Sequence, residues 1–170
     1  MIGQFYTISA SHIKENIVMQ LRNFEKQDAS ILADKMYGNL SVEQIEDMIR
    51  QWNTKQYDGK YFEMFAVVTS GVIVGMLSLY QIKEKTLHMG PVIFPEFRKK
   101  GFAKAAMTMA FDMAKKTGCC TISQQIRLDN VASIALHRSL GFELVGKPFV
   151  NAKGNEVCIY EKHFSNDVSE

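Results

Sequence analysis

The spacing of apolar residues changes several times along the chain, and each change marks a predicted element. Apolar and polar positions alternate over residues 17–24, which indicates a first β-strand. Apolar residues then recur at helical spacing after two candidate capping residues, and they predict helices over 28–37 and 41–53. The second helix has Ser41 followed three positions later by Gln44, a capping-box pattern that satisfies two backbone donors.

A return to alternation follows the second helix and predicts three strands in a row. They cover residues 62–69, 72–81 and 86–94, and a turn at Ser70–Gly71 joins the first two. The dipeptide Gly90–Pro91 interrupts the third strand. Because proline has no N–H for a sheet ladder, we expect this strand to bulge or end there.

The last part of the chain alternates helices and strands. The predicted elements are helix 101–117, strand 121–128, helix 130–140, and strands 143–149 and 157–163. The whole order is that of an α/β (α+β) fold, with about four helices around a mixed sheet of about seven strands. We assign residues 17–164 to one domain, 1–16 to an N-terminal extension of unknown structure, and 165–170 to a polar tail.

Composition narrows the classes of function. The chain has 170 residues, of which 46% are apolar and 22% are charged, and its net charge is +2. This balance is typical of one globular domain and argues against a general nucleic-acid binder or membrane binder. We find no apolar run long enough to span a bilayer, and the N-terminus lacks the pattern of a secretory signal.

Cysteine usage favours a reducing compartment. The cysteines are Cys119, Cys120 and Cys158, an odd number without a CxxC pair. A disulfide framework or a metal site is therefore not expected. We expect a cytoplasmic protein.

One short segment crowds positive charge just before a helix. Cations at positions 98–100 precede Gly101, where the predicted helix begins. The first N–H groups of a helix have no internal partner, and the helix dipole adds partial positive charge there. Gly101 and the small Ala103 leave room for a ligand near the backbone. The segment therefore predicts a cradle for phosphate oxygens, with a solvated lysine-rich turn as the alternative.

A second segment, residues 129–142, places polar side chains on one edge of a predicted helix. The helical period aligns Asn130, Ser133 and His137 along one stripe and leaves apolar residues for the other side. The stripe indicates a binding edge that offers an amide, a hydroxyl and an imidazole. Taken singly, these residues are also typical of a helix cap, a solvated serine and a surface histidine.

Together the two segments resemble the motifs of the GNAT family, the acetyl-CoA-dependent N-acetyltransferases. Residues 98–103, RKKGFA, are similar to the family's phosphate loop, in which Arg or Gln precedes Gly by three positions. Residues 130–142, NVASIALHRSLGF, are similar to the family's helix motif, which runs from Asn to a Gly-Phe or Gly-Tyr pair. The resemblance covers roughly residues 17–163 and includes the order of the elements.

The resemblance implies the GNAT fold, in which two neighbouring strands of a twisted sheet splay apart, and acetyl-CoA as cofactor. The pantetheine arm would lie in the gap, which a bulge at Gly90–Pro91 would open, and the pyrophosphate would bind the amides of residues 98–103. The residues that the resemblance assigns to the cofactor are Val92, Ile93, Phe94, Arg98, Lys99, Lys100, Gly101, Phe102, Ala103, Lys104, Asn130, Ser133 and His137.

Two proton-transfer roles follow from the resemblance. His88, on the strand that should line the site, is the candidate base for the substrate ammonium. Its alternatives are Glu63, Tyr80 and an ordered water chain, and on a solvent face His88 would have no such role. Many relatives have a tyrosine acid at the position of His137. This histidine therefore either protonates the leaving thiolate or only hydrogen-bonds the cofactor.

The implied function is transfer of an acetyl group from acetyl-CoA to a primary amine of a small molecule, by direct attack in a ternary complex. The alternatives are a non-catalytic acyl-CoA sensor and an acetyltransferase for peptide N-termini or lysines. Residues 38–62 should frame the acceptor site. Acidic residues here favour a cationic amine or merely cover a solvated helix face: Glu43, Glu46, Asp47, Asp58 and the adjacent Glu63. Because dimers are common in the family, a homodimer is a further expectation.

Overall fold

The computed structural model describes the backbone of residues 6–9 and the whole of residues 18–164. The strands in these ranges are β1 (Tyr6–Ser9), β2 (Val18–Asn23), β3 (Gln56–Tyr57), β4 (Lys60–Thr69), β5 (Val72–Lys83), β6 (Thr86–Ile93), β7 (Thr121–Arg127), β8 (Glu143–Val150) and β9 (Glu156–His163). The α-helices are α1 (Ala29–Lys35), α2 (Val42–Trp52), α3 (Phe102–Lys116) and α4 (Val131–Ser139). Short 3-10 turns at Lys26–Asp28 and Pro95–Phe97 precede α1 and α3.

The strands form one sheet in the order β1-β2-β4-β5-β6-β7-β9-β8, and β3 pairs with β4 beside that path. Neighbouring strands are antiparallel except β6 and β7, which run parallel and are connected through α3. The predicted α/β fold with a mixed sheet is confirmed. Two strands go beyond the prediction: β3, and β1, which pairs with β2 from within the segment that we assigned to an N-terminal extension.

The sheet separates two layers of helices, each with its own core. On one face, Met107 of α3 belongs to a core that includes Leu79 and Met89 of the strands, and apolar residues of α4 pack against it. On the other face, α1 and α2 pack on the sheet, with Ile45 in the same core as Ala66. The two sides of the sheet are therefore built independently.

Helix α2 forms as its sequence predicts. The hydroxyl of Ser41 accepts a hydrogen bond from the N–H of Gln44, and the Gln44 side chain accepts one from the N–H of Ser41. Ile45 is fully buried on the apolar stripe, whereas Met48 and Trp52 are only half-buried. The helix thus packs on the sheet through Ile45 and Ile49 and presents Met48 and Trp52 to a cavity.

β6 and β7 separate after a short parallel start. Within the described chain, two residue pairs join them: Thr86 with Thr121, and Leu87 with Ile122. Further along, the N–H of Met89 donates to the side-chain Oε1 of Gln124, at 3.4 Å, instead of to a strand carbonyl. The predicted splayed strand pair is therefore present, and a gap opens beside residues 89–93.

Our prediction that the third strand would bulge or end at Gly90–Pro91 is wrong. β5 and β6 keep one register through this dipeptide, with Pro91 opposite Leu77. Three residues further on, Phe94 donates its N–H to the carbonyl of Val74 on β5. Successive strand residues turn their N–H groups to opposite sides, so position 91 faces the gap. Proline is tolerated because no ladder hydrogen bond is lost there.

Gly75 of β5 lets β6 approach closely beside the gap. A Cβ at this position would lie 2.3 Å from the carbonyl oxygen of Val92 and 2.9 Å from the Cα of Ile93. Such distances are far below van der Waals contact with backbone, so only glycine fits. The position of the strand that lines the gap depends on this residue.

Candidate active site

A groove of about 390 Å³ follows the gap between β6 and β7 and extends to the first turns of α3 and α4. We name it the α4 groove. Val92 and Ile93 of β6 line it together with residues of both motif segments: Arg98, Ala103, Asn130, Ser133 and His137. Gln124 of β7 lines it as well, and the motifs did not identify this residue. The fold thus brings the two segments together around one elongated site.

The turn before α3 has the geometry of an anion site. Gly101 is the N-cap residue, with φ of 83°, and no side chain caps the helix. A Cβ at Gly101 would meet nothing within 4 Å, so open space lies before the first N–H groups. Lys99 also has a positive φ, of 60°. Because the helix start carries unpaired N–H groups and the positive end of the dipole, the turn attracts anions.

The cations of the turn differ in their contacts. Arg98 donates from Nε to the carbonyl oxygen of Ile93 at 3.0 Å, which fixes its guanidinium beside the α4 groove. Lys100 lies over the ring of Phe97, with Nζ 5.6 Å from the ring centre. The lysines of the predicted cofactor set are all exposed at the turn: Lys99, Lys100 and Lys104. Arg98 is therefore the positioned cation, and the lysines supply a surrounding field.

Two aromatic residues of the predicted cofactor set pack in the cores. Phe94 is fully buried in the core on the α1–α2 face. Phe102 is half-buried and packs against the core on the α3–α4 face. Any contact that they make with a ligand would therefore come from their backbone.

Asn130 caps helix α4. Its Oδ1 accepts a hydrogen bond from the N–H of Ser133 at 3.1 Å. The cap uses the oxygen of the amide and leaves the NH₂ group as a donor on a residue that lines the α4 groove. The interpretation as a cap and the interpretation as a binding residue are therefore compatible.

His137 is buried at the bottom of the α4 groove, with 2% of its surface exposed. Its Nδ1 lies 2.8 Å from the carbonyl oxygen of Ser133, and because a carbonyl only accepts, we infer that Nδ1 carries the proton. Its Nε2 has no hydrogen-bond partner within the described chain. Burial lowers the pKa of His137, although the contact with Ser133 opposes this. The neutral ring therefore offers Nε2 as an acceptor.

A second cavity, of about 550 Å³, opens on the α1–α2 face of the sheet. Aromatic rings dominate its wall, and the ring centres of Tyr57, Phe62 and Tyr80 lie 6.3 to 6.4 Å from one another. Met48 and Trp52 of α2 complete the apolar lining. We name this cavity the aromatic pocket.

His88 of β6 lies near the point where the lining of one cavity ends and that of the other begins. It lines the aromatic pocket, whereas Gly90, two residues further on, lines the α4 groove. Burial lowers the pKa of His88, a hydrogen bond with the backbone of Ser123 raises it, and the nearby His137 lowers it again. The net effect is a lowered pKa, so His88 is neutral near pH 7 and has a lone pair that accepts a proton.

A family comparison identifies the class of protein that carries this site. The model of the acetyltransferase (GNAT) family matches residues 25–142, which is more than half of the chain. The chain belongs to the GNAT family. Membership confirms the predicted enzyme class, an acetyltransferase, and the predicted cofactor, acetyl-CoA.

A solved GNAT structure has the same fold. It is a ribosomal L7/L12 alpha-N-protein acetyltransferase in complex with coenzyme A, and it matches with a TM-score of 0.74 at 18% identity. The match covers 85% of this chain and 93% of that chain. At this identity the likeness establishes the fold and leaves the acceptor open.

Two curated GNAT relatives have different kinds of acceptor. The chain is 23% identical over 94 residues to a ribosomal protein bS18-alanine N-acetyltransferase of Escherichia coli (strain K12), covering 54% of this chain and 64% of the relative. It is 39% identical over 54 residues to an aminoglycoside N(6')-acetyltransferase type 1 of Acinetobacter haemolyticus, covering 32% of this chain and 37% of the relative. The chain thus spans less than two thirds of either relative.

The alternative bases differ in where the GNAT fold places them. Tyr80 lines the aromatic pocket, but Glu63 is engaged elsewhere. Glu63 is 7% exposed and binds Lys55 and the hydroxyl of Tyr61, each at 2.6 Å, and the side chain of Asn23 at 2.9 Å. With its oxygens engaged by these three partners, Glu63 is a structural residue.

Cys119 of this GNAT chain is a poor candidate for covalent catalysis. No disulfide links the three cysteines, and burial raises the pKa of the Cys119 thiol, which makes it a poor nucleophile. Within residues 18–164 and the strand 6–9, we find no group of His, Cys, Asp and Glu placed to hold a metal ion. The same ranges contain no helix with the length and apolar character needed to cross a membrane.

Proposed function

We propose that this chain transfers an acetyl group from acetyl-CoA to a primary amine of a small molecule, with both bound at once. The observation that carries the proposal is that two cavities lie against neighbouring positions of β6. The α4 groove carries the cofactor motifs of the family, and the aromatic pocket reaches the same strand from the other face. A donor in one cavity and an amine in the other would meet between His88 and Gly90.

On the donor side the chain contributes mostly backbone. The open cradle before Gly101 fits a pyrophosphate, and Arg98 adds a fixed charge beside it. The N–H of Ile93 faces the gap, where it fits an amide of the pantetheine arm. When bound, acetyl-CoA would supply a thioester whose C–S bond breaks as the amide C–N bond forms, and a proton from the attacking nitrogen would leave with the CoA sulfur as a thiol.

We assign the removal of the ammonium proton to His88. An amine attacks only when it has lost that proton, and a half-buried imidazole that is neutral near pH 7 accepts it. We assign His137 to a hydrogen bond with the cofactor, in which Nε2 is the acceptor. The Nδ1 proton is not free for this role, because the carbonyl of Ser133 accepts it. Of the two roles that the sequence allows for His137, this geometry favours the hydrogen bond over the acid.

The dimensions of the aromatic pocket support a small acceptor. Its volume of about 550 Å³ lies within the range of roughly 300–1,000 Å³ that is common for small-molecule sites. The match to an aminoglycoside acetyltransferase is in keeping with this acceptor class. The match to a bS18-alanine acetyltransferase favours the second candidate, acetylation of a protein N-terminus.

The test is an assay of thiol release from acetyl-CoA by the purified chain, with products identified by mass spectrometry. We expect turnover with small primary amines and much slower turnover with a peptide that begins with alanine. Calorimetry measures the binding of acetyl-CoA in parallel. Binding without thiol release for any acceptor would indicate a sensor, and faster turnover of the peptide would indicate a protein acetyltransferase. Either result overturns the proposal.

A further inference from the structure

The lining of the aromatic pocket contains information about the acceptor itself, and this inference rests on the proposed function. We propose that the acceptor is a primary amine on an uncharged apolar body, an alkyl or aryl group, rather than a polyamine or another polycation. The distribution of polar and charged groups around the pocket carries the inference.

Two polar side chains of the sheet, those of Ser78 and His88, lie at one end of the pocket. This end is next to β6, where the amine would react. Tyr80 lies directly opposite His88 in the β5–β6 pair. Away from this end the walls are the rings of Tyr57 and Phe62 with the apolar residues of α2. An acceptor with its amine at His88 therefore has to lay the rest of its structure against apolar surface, which favours an apolar body.

The rim of the pocket is polar but neutral. Gln51 at the end of α2 and Gln56 of β3 are exposed and line the opening. Their amides satisfy a hydroxyl or carbonyl group equally well, and neither carries a charge. Among the described residues, no Asp or Glu lines the pocket.

Three of the five acidic residues in this region are engaged with basic partners, and none of the five lines the pocket. Glu46 binds Lys26 at 3.2 Å, and Glu63 binds Lys55 at 2.6 Å. Asp47 pairs with Arg50 on the surface of α2. A second ammonium group in the pocket would thus lose water without gaining a countercharge, which is unfavourable. On this inference, the paired acidic residues do not favour a cationic amine in the pocket.

A pair of amines that differ only in a terminal charge tests the inference directly. Hexylamine and 1,6-diaminohexane have the same chain, and the diamine adds a second ammonium group. We expect kcat/KM to be at least about tenfold higher for hexylamine, because the diamine must desolvate a charge against the rings. The same order is expected for 2-phenylethylamine over spermidine. Equal or faster turnover of the diamine or spermidine overturns the inference.

Substitutions in the pocket locate the preference. Phe62→Ala is expected to lower kcat/KM for hexylamine about tenfold through lost apolar contact, with the Kd for acetyl-CoA unchanged. Phe149→Ala, an exposed phenylalanine of β8, is the matched control and should change neither constant.

The second substitution is designed to improve acceptance of the diamine, and it changes an exposed residue and not a packed one. Gln51→Glu places a carboxylate at the rim and should reduce the preference for hexylamine over the diamine severalfold. Gln125→Glu, an exposed position of β7 outside both cavities, should leave the ratio unchanged. A ratio that Gln51→Glu leaves unaltered contradicts the inference even if Phe62→Ala fails to fold.

Failure of the inference and failure of the proposed function give different results. Acetyl transfer to diamines in preference to hexylamine leaves the function intact and overturns the inference. If no amine is acetylated, calorimetric titration with hexylamine decides. Binding that Phe62→Ala weakens supports the apolar specificity of the pocket although the enzymatic proposal fails. Absence of binding overturns both.

Discussion

The α4 groove and the aromatic pocket lie against the same strand, yet the groove is formed mainly by backbone and the pocket mainly by side chains. The groove uses backbone N–H groups and short segments, at 90–103 and 130–137, in which small residues and turns set the shape. The pocket uses side chains that come singly from α2, β3, β4, β5 and β6. The groove therefore depends on small residues that leave space near the backbone, and the pocket depends on large side chains that form its walls.

The difference explains why the α4 groove could be predicted from the sequence and the aromatic pocket could not. A backbone cradle restricts residue types at fixed spacing, as Gly101 and Ala103 illustrate, and so it leaves a motif. A wall of rings requires only bulk at positions that the fold brings together. Substitution of Phe62 or Tyr57 by another large apolar residue would preserve a wall while changing which acceptor fits.

The largest effect is expected where a side chain is added to the backbone cradle. Gly101→Glu places a carboxylate where a pyrophosphate would bind, and charges about 4 Å apart repel by about 4 kcal/mol at an effective dielectric constant near 20. The affinity for acetyl-CoA should fall about 1,000-fold, as measured by calorimetry.

Gly118→Glu is the matched control for the cradle. Gly118 has φ of 80° at the other end of α3, and a Cβ there also meets nothing within 4 Å. Both variants carry the same left-handed backbone strain of about 1–2 kcal/mol, but Gly118→Glu should bind acetyl-CoA normally. If both lose affinity equally, the cradle is not the phosphate site.

The next effect concerns the residue between the two cavities. His88→Ala should lower kcat about 100-fold and leave the Kd for acetyl-CoA unchanged, because it removes a base and not a binding group. Burial lowers the pKa of His88 in the free enzyme, so wild-type kcat/KM should show an acidic limb below the usual range of histidine.

The variant should lose that limb, and a pH–rate profile measures the change. The control is His163→Ala, at an exposed histidine of β9 outside both cavities. An acidic limb that survives in His88→Ala assigns the proton transfer to another group. Tyr80 and an ordered water chain would then be the remaining candidates.

The smallest effect separates the two functions of Asn130. Asn130→Asp keeps the oxygen that caps α4 but removes the NH₂ donor, so stability should hold while the Kd for acetyl-CoA rises about tenfold. Asn130→Ala should raise the Kd similarly and also cost about 1 kcal/mol of stability through the lost cap. Urea unfolding and calorimetry measure both quantities. Unchanged affinity in both variants would limit Asn130 to the cap.

Local signals were sufficient to predict most of the elements. The capping box of Ser41, the glycine at 101 and the alternation in β4 and β5 act over a few residues, and the structure has each feature at or near its predicted position. β3 was missed because a strand of two residues has no period to detect. Ile17, the first residue of the predicted first strand, lies outside the described residues.

Features that depend on a neighbouring strand could not be predicted in the same way. Pro91 suggested a bulge, but whether a proline disturbs a strand depends on which neighbour its missing N–H would have faced. Glu63 carried a sequence signal for an acidic acceptor site, but Lys55, Tyr61 and Asn23 surround it in the fold. Long-range pairing decides both cases, and a single sequence does not contain it.

Pro91 has a kinetic consequence for the donor side. Two parallel strands with unpaired edges can form further backbone hydrogen bonds with each other. Such bonds would compete with those that a ligand in the gap would make. Here Met89 is already satisfied by the Gln124 side chain, and Pro91 has no N–H to offer. The next donor on that edge is Ile93, so continuous pairing with β7 is interrupted. A ligand that enters the gap beyond Met89 would therefore break no β6–β7 backbone hydrogen bond.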